Sequence, residues 1–210
     1  MLLVVFPNLN YNTMNAKQFF NTSKGFNIHG LVFLALILLA GFTAPESKAD
    51  TPTFHDFVVS DIFGDPYDLS QLKGKKVMVV NTASKCGLTP QYEQLEELYR
   101  TYGGDDFIII GFPANNFMNQ EPGTNEEIIS FCQENYGVSF PMMSKVSVKG
   151  SDIAPVYEWL TSKDLNGKMD VSISWNFQKF LVDEDGQLVE VLSPRDSPMS
   201  DNVISWLSAE

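Results

Sequence analysis

The chain has 210 residues, with 14 Lys and Arg against 26 Asp and Glu, a formal net charge of −12 and a sequence pI near 4.5. Hydrophobic residues make up 44 % and aromatics 12 %, enough for a sizeable core, which excludes an intrinsically disordered chain. The acidic balance excludes a nucleic-acid backbone binder, and two histidines, His29 and His55, are too few for a His-rich metal site.

In chain order, the first fifty residues differ from the rest. A polar stretch with Lys17 and Lys24 precedes residues 31–42, an uncharged apolar run of twelve. As a helix this run spans about 18 Å, short of the ~30 Å hydrocarbon core of a bilayer. Ser47, Lys48 and Ala49 then set small residues at the −3 and −1 positions before Asp50. Basic flank, apolar run and small-x-small exit predict an export signal over residues 1–49, with an uncleaved membrane anchor as the alternative. The stretch before Lys17 is long for such a leader, which makes Met14 a candidate start. The expected localisation is periplasmic or secreted, with tethering if the leader is retained. Residues 50–210 read as one domain, and residues 51–210 carry 24 acidic against 11 basic side chains.

Residues 57–63, followed by Gly64, Asp65 and Pro66, predict a short strand and a turn. Residues 77–80 form the continuous apolar run of a strand covered on both faces. Thr89 and Pro90 predict an N-cap and a first-turn proline, with Tyr92, Leu95, Leu98, Tyr99 and Tyr102 at helical spacing up to Gly103. Residues 107–110 predict a second buried strand, and a long polar loop covers 113–123. Thr124 and Glu127 have the spacing of a capping box for a helix with Ile128, Phe131, Cys132 and Tyr136 on one face, stopped by Gly137. Residues 153–160 read as a helix, residues 177–182 and 188–191 as strands, and 203–207 as a last helix. Between the two strands, Asp183, Glu184, Asp185 and Gly186 make a hairpin turn, lacking the alternating ligands and closing glutamate of a calcium loop. This order predicts an α/β fold, a central mixed β-sheet flanked by helices as in the thioredoxin-like architecture, with a right-handed crossover.

Cys86 and Cys132 are the two cysteines, and there is no Ser–His triad signature. Cys86 lies where a buried strand passes through a tight turn into a helix. Its sulfur is expected near unpaired N–H groups of the helix start, with Lys85 adjacent, and both favour the thiolate. Gly87 leaves room for a ligand. Thr89 stands where a Cys-x-x-Cys motif would carry its second cysteine, so dithiol exchange lacks a local partner. A lone activated thiolate suits attack on a peroxide O–O bond, with a sulfenic acid as product. Cys132, among apolar helical neighbours, reads from periodicity as a buried core cysteine.

Four separated stretches carry a family resemblance: Asn81-Thr-Ala-Ser-Lys-Cys-Gly-Leu-Thr-Pro-Gln-Tyr92, Gly111-Phe-Pro-Ala-Asn-Asn-Phe117, Asn119-Gln-Glu-Pro-Gly123 and Trp175-Asn-Phe-Gln-Lys-Phe-Leu181. Together they resemble the cysteine-type glutathione peroxidases, from about residue 54 to 207. The resemblance implies a catalytic tetrad of Cys86, the peroxidatic residue, with Gln120, Trp175 and Asn176. Their amide and indole N–H groups would hold the thiolate and polarise a peroxide oxygen without adding charge. It also implies a resolving role for Cys132. Thioredoxin-dependent members carry a cysteine in this helix, in a context like Phe131-Cys132 ahead of Tyr136-Gly-Val-Ser-Phe-Pro141. Such a disulfide needs the two Cβ atoms within about 4.5 Å, hence unwinding of the helix in the sulfenic state. The pattern departs at Ala114 and Asn116, where members usually carry Cys and Gln. The implied activity is thiol-dependent reduction of hydrogen peroxide and organic hydroperoxides, without a cofactor or metal. A thioredoxin-like dithiol protein or a low-molecular-weight thiol is the expected reductant, and a monomer or small oligomer the expected state. A thiol–disulfide oxidoreductase or redox relay, and a domain with one static disulfide, are the competing readings.

Overall fold

The computed structural model describes residues 51–209, so the leader expected over residues 1–49 and the alternative start at Met14 lie outside the described residues. A small antiparallel hairpin, β1 (Val58–Ser60) with β2 (Pro66–Asp68), precedes the main sheet. That sheet comprises β3 (Lys76–Thr82), β4 (Phe107–Pro113), β5 (Lys179–Val182) and β6 (Leu188–Leu192), in the spatial order β4-β3-β5-β6. β4 runs parallel to β3, whereas β5 is antiparallel to β3 and β6 to β5. Among the described residues, five α-helices complete the domain: α1 (Gln91–Tyr102), α2 (Asn125–Tyr136), α3 (Pro155–Thr161), α4 (Lys163–Asn166) and α5 (Asp201–Ser208). The expected mixed sheet flanked by helices is present.

β3 is apolar because both of its faces are covered. Val77 and Val79 enter one core with Phe112, Trp159, Leu160 and Phe180. Met78 and Val80 enter the other with Leu95, Leu98, Ile128, Cys132 and Val203. The two-residue period of a strand sends alternate side chains to opposite layers, so α3 packs on one face and α1, α2 and α5 on the other. α2 begins as its pattern predicts. The Glu127 N–H donates to Thr124 Oγ1 at 3.3 Å, and the Thr124 N–H donates to Glu127 Oε2 at 2.8 Å. Gly137, at φ 63°, ends it in the left-handed region where a side chain is disfavoured. At the turn between β5 and β6, Asp183 Oδ1 accepts the N–H groups of Asp185 and Gln187 at 3.1 and 2.8 Å. The carboxylate thus closes the hairpin, as the turn reading expects.

Several boundaries differ from the sequence pattern: β1 is shorter than its predicted stretch, β3, β4, β6 and α5 are longer, and three starts have a clear local cause. α1 starts at Gln91, because the Thr89 hydroxyl is turned into the preceding loop instead of capping the helix. α3 starts at Pro155, since the residue before a proline is pushed to extended geometry, and Ala154 sits at ψ 141°. β5 starts at Lys179, because Phe177 adopts a φ of 65° that no strand accommodates. β2 and α4 span three and four residues, too short to show any period in the sequence.

Candidate active site

The chain leaves β3 at Thr82 and reaches α1 through residues 83–90. Thr89 holds this turn. Its buried hydroxyl accepts the Cys86 N–H at 3.0 Å and donates to the Ala83 carbonyl at 2.8 Å. Both backbone groups are withdrawn from water and require partners. Cys86 is 9 % exposed, and its Sγ accepts the Leu88 N–H at 3.4 Å. The N–H donor expected near the sulfur is therefore present, just ahead of α1. Substituting Thr89→Val preserves shape but strands two buried backbone groups, at about 1–3 kcal/mol each. A lowered urea midpoint is the expected result, with Thr89→Ser close to wild type.

Gln120 arrives on the loop that follows β4. Asn116, one of the two departures from the family pattern, anchors this loop: its Nδ2 donates to Ser147 Oγ at 2.9 Å, and its Oδ1 accepts the Val148 N–H at 2.9 Å. Ala114, the other departure, is fully buried. The loop reverses through Met118 and Asn119, at φ 52° and 53°, and the Gln120 carbonyl then accepts the Lys85 N–H at 2.9 Å. That bond ties Gln120 to the residue preceding Cys86. The Gln120 side-chain Oε1 accepts Asn176 Nδ2 at 2.9 Å. Asn176 is fully buried, and its Oδ1 has no hydrogen-bond partner among the described residues.

Asn81, at the end of β3, organises the segment that carries Trp175 and Asn176. Its Nδ2 donates to the Trp175 carbonyl at 3.1 Å, its Oδ1 accepts the Gln178 N–H at 3.2 Å, and its carbonyl accepts the Phe177 N–H at 2.6 Å. These bonds, with the buried Phe177 ring set edge-on to Tyr92 at 5.3 Å, hold Phe177 at its positive φ. Such a conformation costs of order 1–3 kcal/mol and persists only when surrounding contacts dictate it. Trp175 packs on Phe117 with ring centres 5.4 Å apart. Trp175 and Cys86 line one open cleft of about 930 Å³, together with Gly87, Leu88, Ser193, Pro194 and Arg195.

The four residues singled out in the sequence are therefore connected. Cys86 and Trp175 share a cleft, Gln120 is bound through Lys85 to the Cys86 turn, and Asn176 is bound to Gln120. Asn81 and Thr89 carry no functional motif of their own, yet Asn81 holds the Trp175–Asn176 segment and Thr89 the Cys86 turn. The detectable signal for Asn81 is a polar pair, Asn81 and Thr82, closing the apolar run that follows Lys76 in a strand buried at every position.

Cys132 is fully buried in an intact α2, and both cysteines are free. Burial pushes the Cys132 thiol up to about 11; the Glu121 charge acts in the same direction, and the Tyr92 hydroxyl acts against it. Glu121 is itself buried, which raises its carboxyl, while the Ser84 hydroxyl, 3.1 Å from Oε2, and the charges of Lys145 and Lys85 oppose that rise. A second cleft, of about 390 Å³, is lined by Ser84, Lys85 and Glu121 on one side and by Ile128 and Phe131 of α2 on the other. Lys85 thus borders this cleft as well as adjoining Cys86 in sequence.

Comparison with known proteins places these residues in a lineage. The sequence model of the family described as glutathione peroxidase matches residues 54–161, which include Cys86, Gln120 and Cys132. Glutathione peroxidase-like peroxiredoxin gpx1 of Schizosaccharomyces pombe is 52 % identical over 145 residues, covering 69 % of this chain and 91 % of that protein. The crystal structure of Trgpx in apo form is 36 % identical with a TM-score of 0.58, over 75 % of this chain and 97 % of that one. A thiol:disulfide interchange protein of the thioredoxin family from Chlorobium tepidum, 19 % identical with a TM-score of 0.51 over 73 % and 93 % of the two chains, shares the fold. The fold is thus thioredoxin-like, and by the extent of the family match and the identity to its relatives this chain belongs to the glutathione peroxidase family.

Proposed function

We propose that the protein reduces hydrogen peroxide and organic hydroperoxides through Cys86, with electrons from a thioredoxin-like dithiol protein. The observation that carries this reading is the linkage of Cys86, Gln120 and Asn176 beside a cleft shared with Trp175. The Cys86 thiolate attacks the terminal oxygen of the hydroperoxide and the O–O bond breaks. Sulfur keeps that oxygen and its hydrogen as a sulfenic acid, and the remaining oxygen leaves as hydroxide or alkoxide, which takes a proton from solvent to give water or alcohol. Because Asn176 Nδ2 is engaged by Gln120 Oε1, its part is to aim the Gln120 amide. Gln120 Nε2 and the Trp175 indole N–H are then the donors for the thiolate and the leaving oxygen.

Cys132 then condenses with the sulfenic acid: an S–S bond forms, water leaves, and the donor's two thiols reduce the disulfide. Two features support a protein donor over glutathione. The matched relative is named a peroxiredoxin, and the cation among the residues lining the Cys86 cleft is Arg195 alone, against the two carboxylates of glutathione. Peroxide-dependent oxidation of reduced thioredoxin and of glutathione, followed side by side, tests the reading; consumption of neither overturns it. Gln120→Ala is expected to slow Cys86 oxidation by about 10²-fold or more in stopped flow, the usual effect of removing a donor to developing charge. The apolar run over 31–42 and the small residues at 47 and 49 support export as part of this proposal, with the domain a monomer or small oligomer. A mature N-terminus at Asp50 in the mass spectrum, and light scattering of the purified protein, test these two points.

A further inference from the structure

We propose that Lys179 is a positioning residue for the hydroperoxide: it pins the 193–195 wall of the Cys86 cleft and so sets how well bulky hydroperoxides react relative to hydrogen peroxide. The proposal rests on the peroxidase reading and adds a specificity element to it. Lys179 opens β5 and is fully buried, which is rare for a lysine without an ion-pair partner. No carboxylate lies within ion-pair distance of it among the described residues. Its Nζ donates instead to the carbonyls of Pro194 at 3.1 Å and Asp196 at 2.7 Å, and to Gln91 Oε1. Gln91 Nε2 in turn donates to the Pro194 carbonyl at 2.7 Å.

This node joins three pieces of the site. Lys179 follows Trp175 and Asn176 on the same segment, Gln91 is the first residue of the helix entered from the Cys86 turn, and residues 193–195 line the cleft. An ammonium has three N–H donors, and three acceptors meet it. An uncharged side chain would fill this interior without the cost of desolvating a charge, so what the ammonium contributes is the tie to the loop backbone. Hydrogen peroxide needs little beyond the sulfur and its donors. The organic group of a larger hydroperoxide must lie along Leu88, Trp175 and Pro194, and the last of these stays in place only while the tie holds.

The tie is also sensitive to pH. Burial lowers Lys179 to about 8, with the Asp196 carboxylate acting in the opposite direction. Asp196 faces it from the loop after β6, α1 contributes the neutral Gln91, and its strand partners are the apolar Val80 and Leu192. A neutral amine has two N–H groups for three acceptors, so one bond to the wall or to Gln91 is lost as pH rises through that value.

The test compares kcat/KM for cumene hydroperoxide and for hydrogen peroxide in the full chain, with one reductant. Lys179→Met is expected to lower the cumene-to-hydrogen-peroxide ratio at least tenfold, and Gln91→Ala, at a half-exposed helix start, several-fold. The wild-type ratio is expected to fall as pH rises through about 8, and the Lys179→Met ratio to stay level. Because each ratio is taken at one pH, any change common to both peroxides cancels. A ratio unchanged in the variants, equal slowing of both peroxides, or a wild-type ratio flat from pH 6 to 9.5 overturns the proposal. Should Lys179→Met fail to fold, Gln91→Ala decides. Absence of wild-type turnover with either peroxide instead overturns the peroxidase reading itself, and the proposal with it.

Discussion

Replacing Cys86 by serine is expected to reduce peroxide-dependent oxidation of a dithiol donor by about 10³-fold or more, equivalent to at least ~4 kcal/mol of transition-state stabilisation. A hydroxyl is not ionised near neutral pH, so the variant lacks the nucleophile while the surrounding donors remain. The substitution leaves the turn intact, since the bonds to Thr89 and Ala83 run through backbone groups of residues 83 and 86 and the Thr89 hydroxyl. Thermal unfolding of Cys86→Ser should therefore stay near that of wild type, separating loss of chemistry from loss of fold. Stopped-flow mixing of reduced protein with hydrogen peroxide reads the rate directly. A serine variant that oxidises the donor at the wild-type rate would place the reacting group elsewhere.

Cys132→Ser is expected to leave the first oxidation of Cys86 within a few-fold of wild type, yet to lower steady-state turnover with a thioredoxin-like donor by about 10²-fold, because the sulfenic acid then lacks its intramolecular thiol. Dimedone should trap that sulfenic acid at Cys86, with the adduct seen by mass spectrometry. Under the proposed cycle, burial keeps Cys132 from reacting before Cys86 is oxidised. It is fully buried on α2, and its thiol, pushed up to about 11, is protonated at neutral pH and a poor nucleophile. Under that proposal, condensation with Cys86 requires α2 to open, and a cleft lies between that helix and Lys85, the residue before Cys86. Wild-type turnover by Cys132→Ser with the same donor would return Cys132 to the plain core role that helical periodicity suggests.

The same burial makes a stability prediction with a definite sign. The folded state holds the Cys132 proton to about pH 11, against an ordinary value of 9.0. Its contribution is therefore fully present below pH 9 and is lost as pH rises toward 11, where only the unfolded chain gains by releasing the proton. Urea titrations of wild type and Cys132→Ser should show a stability difference that is constant up to pH 9. Above pH 9 the wild type should lose ground relative to the variant. A difference that does not change between pH 8 and 11 would mean that the thiol is more hydrated than its place in α2 indicates.

What the sequence by itself determined is what depends on neighbours a few residues away. The double coverage of residues 77–80 shows in their unbroken apolar character, and the limits of α2 show in Thr124, Glu127 and Gly137, because capping bonds close within three or four residues. The family motifs likewise indicated Cys86, Gln120, Trp175 and Asn176, and helical spacing indicated that Cys132 would be inside. Only the tertiary structure decided how these groups divide their hydrogen bonds. Asn176 meets Gln120 across 56 residues of sequence, Gln178 meets Asn81 across 97, and Lys179 meets Gln91 across 88. Each meeting depends on the register of β5 against β3 and on where two loops cross, which no local pattern encodes. Thr89 shows the same limit at short range. Its sequence position suits a helix cap, but the buried Cys86 N–H and Ala83 carbonyl compete for its hydroxyl, and in the absence of water they prevail.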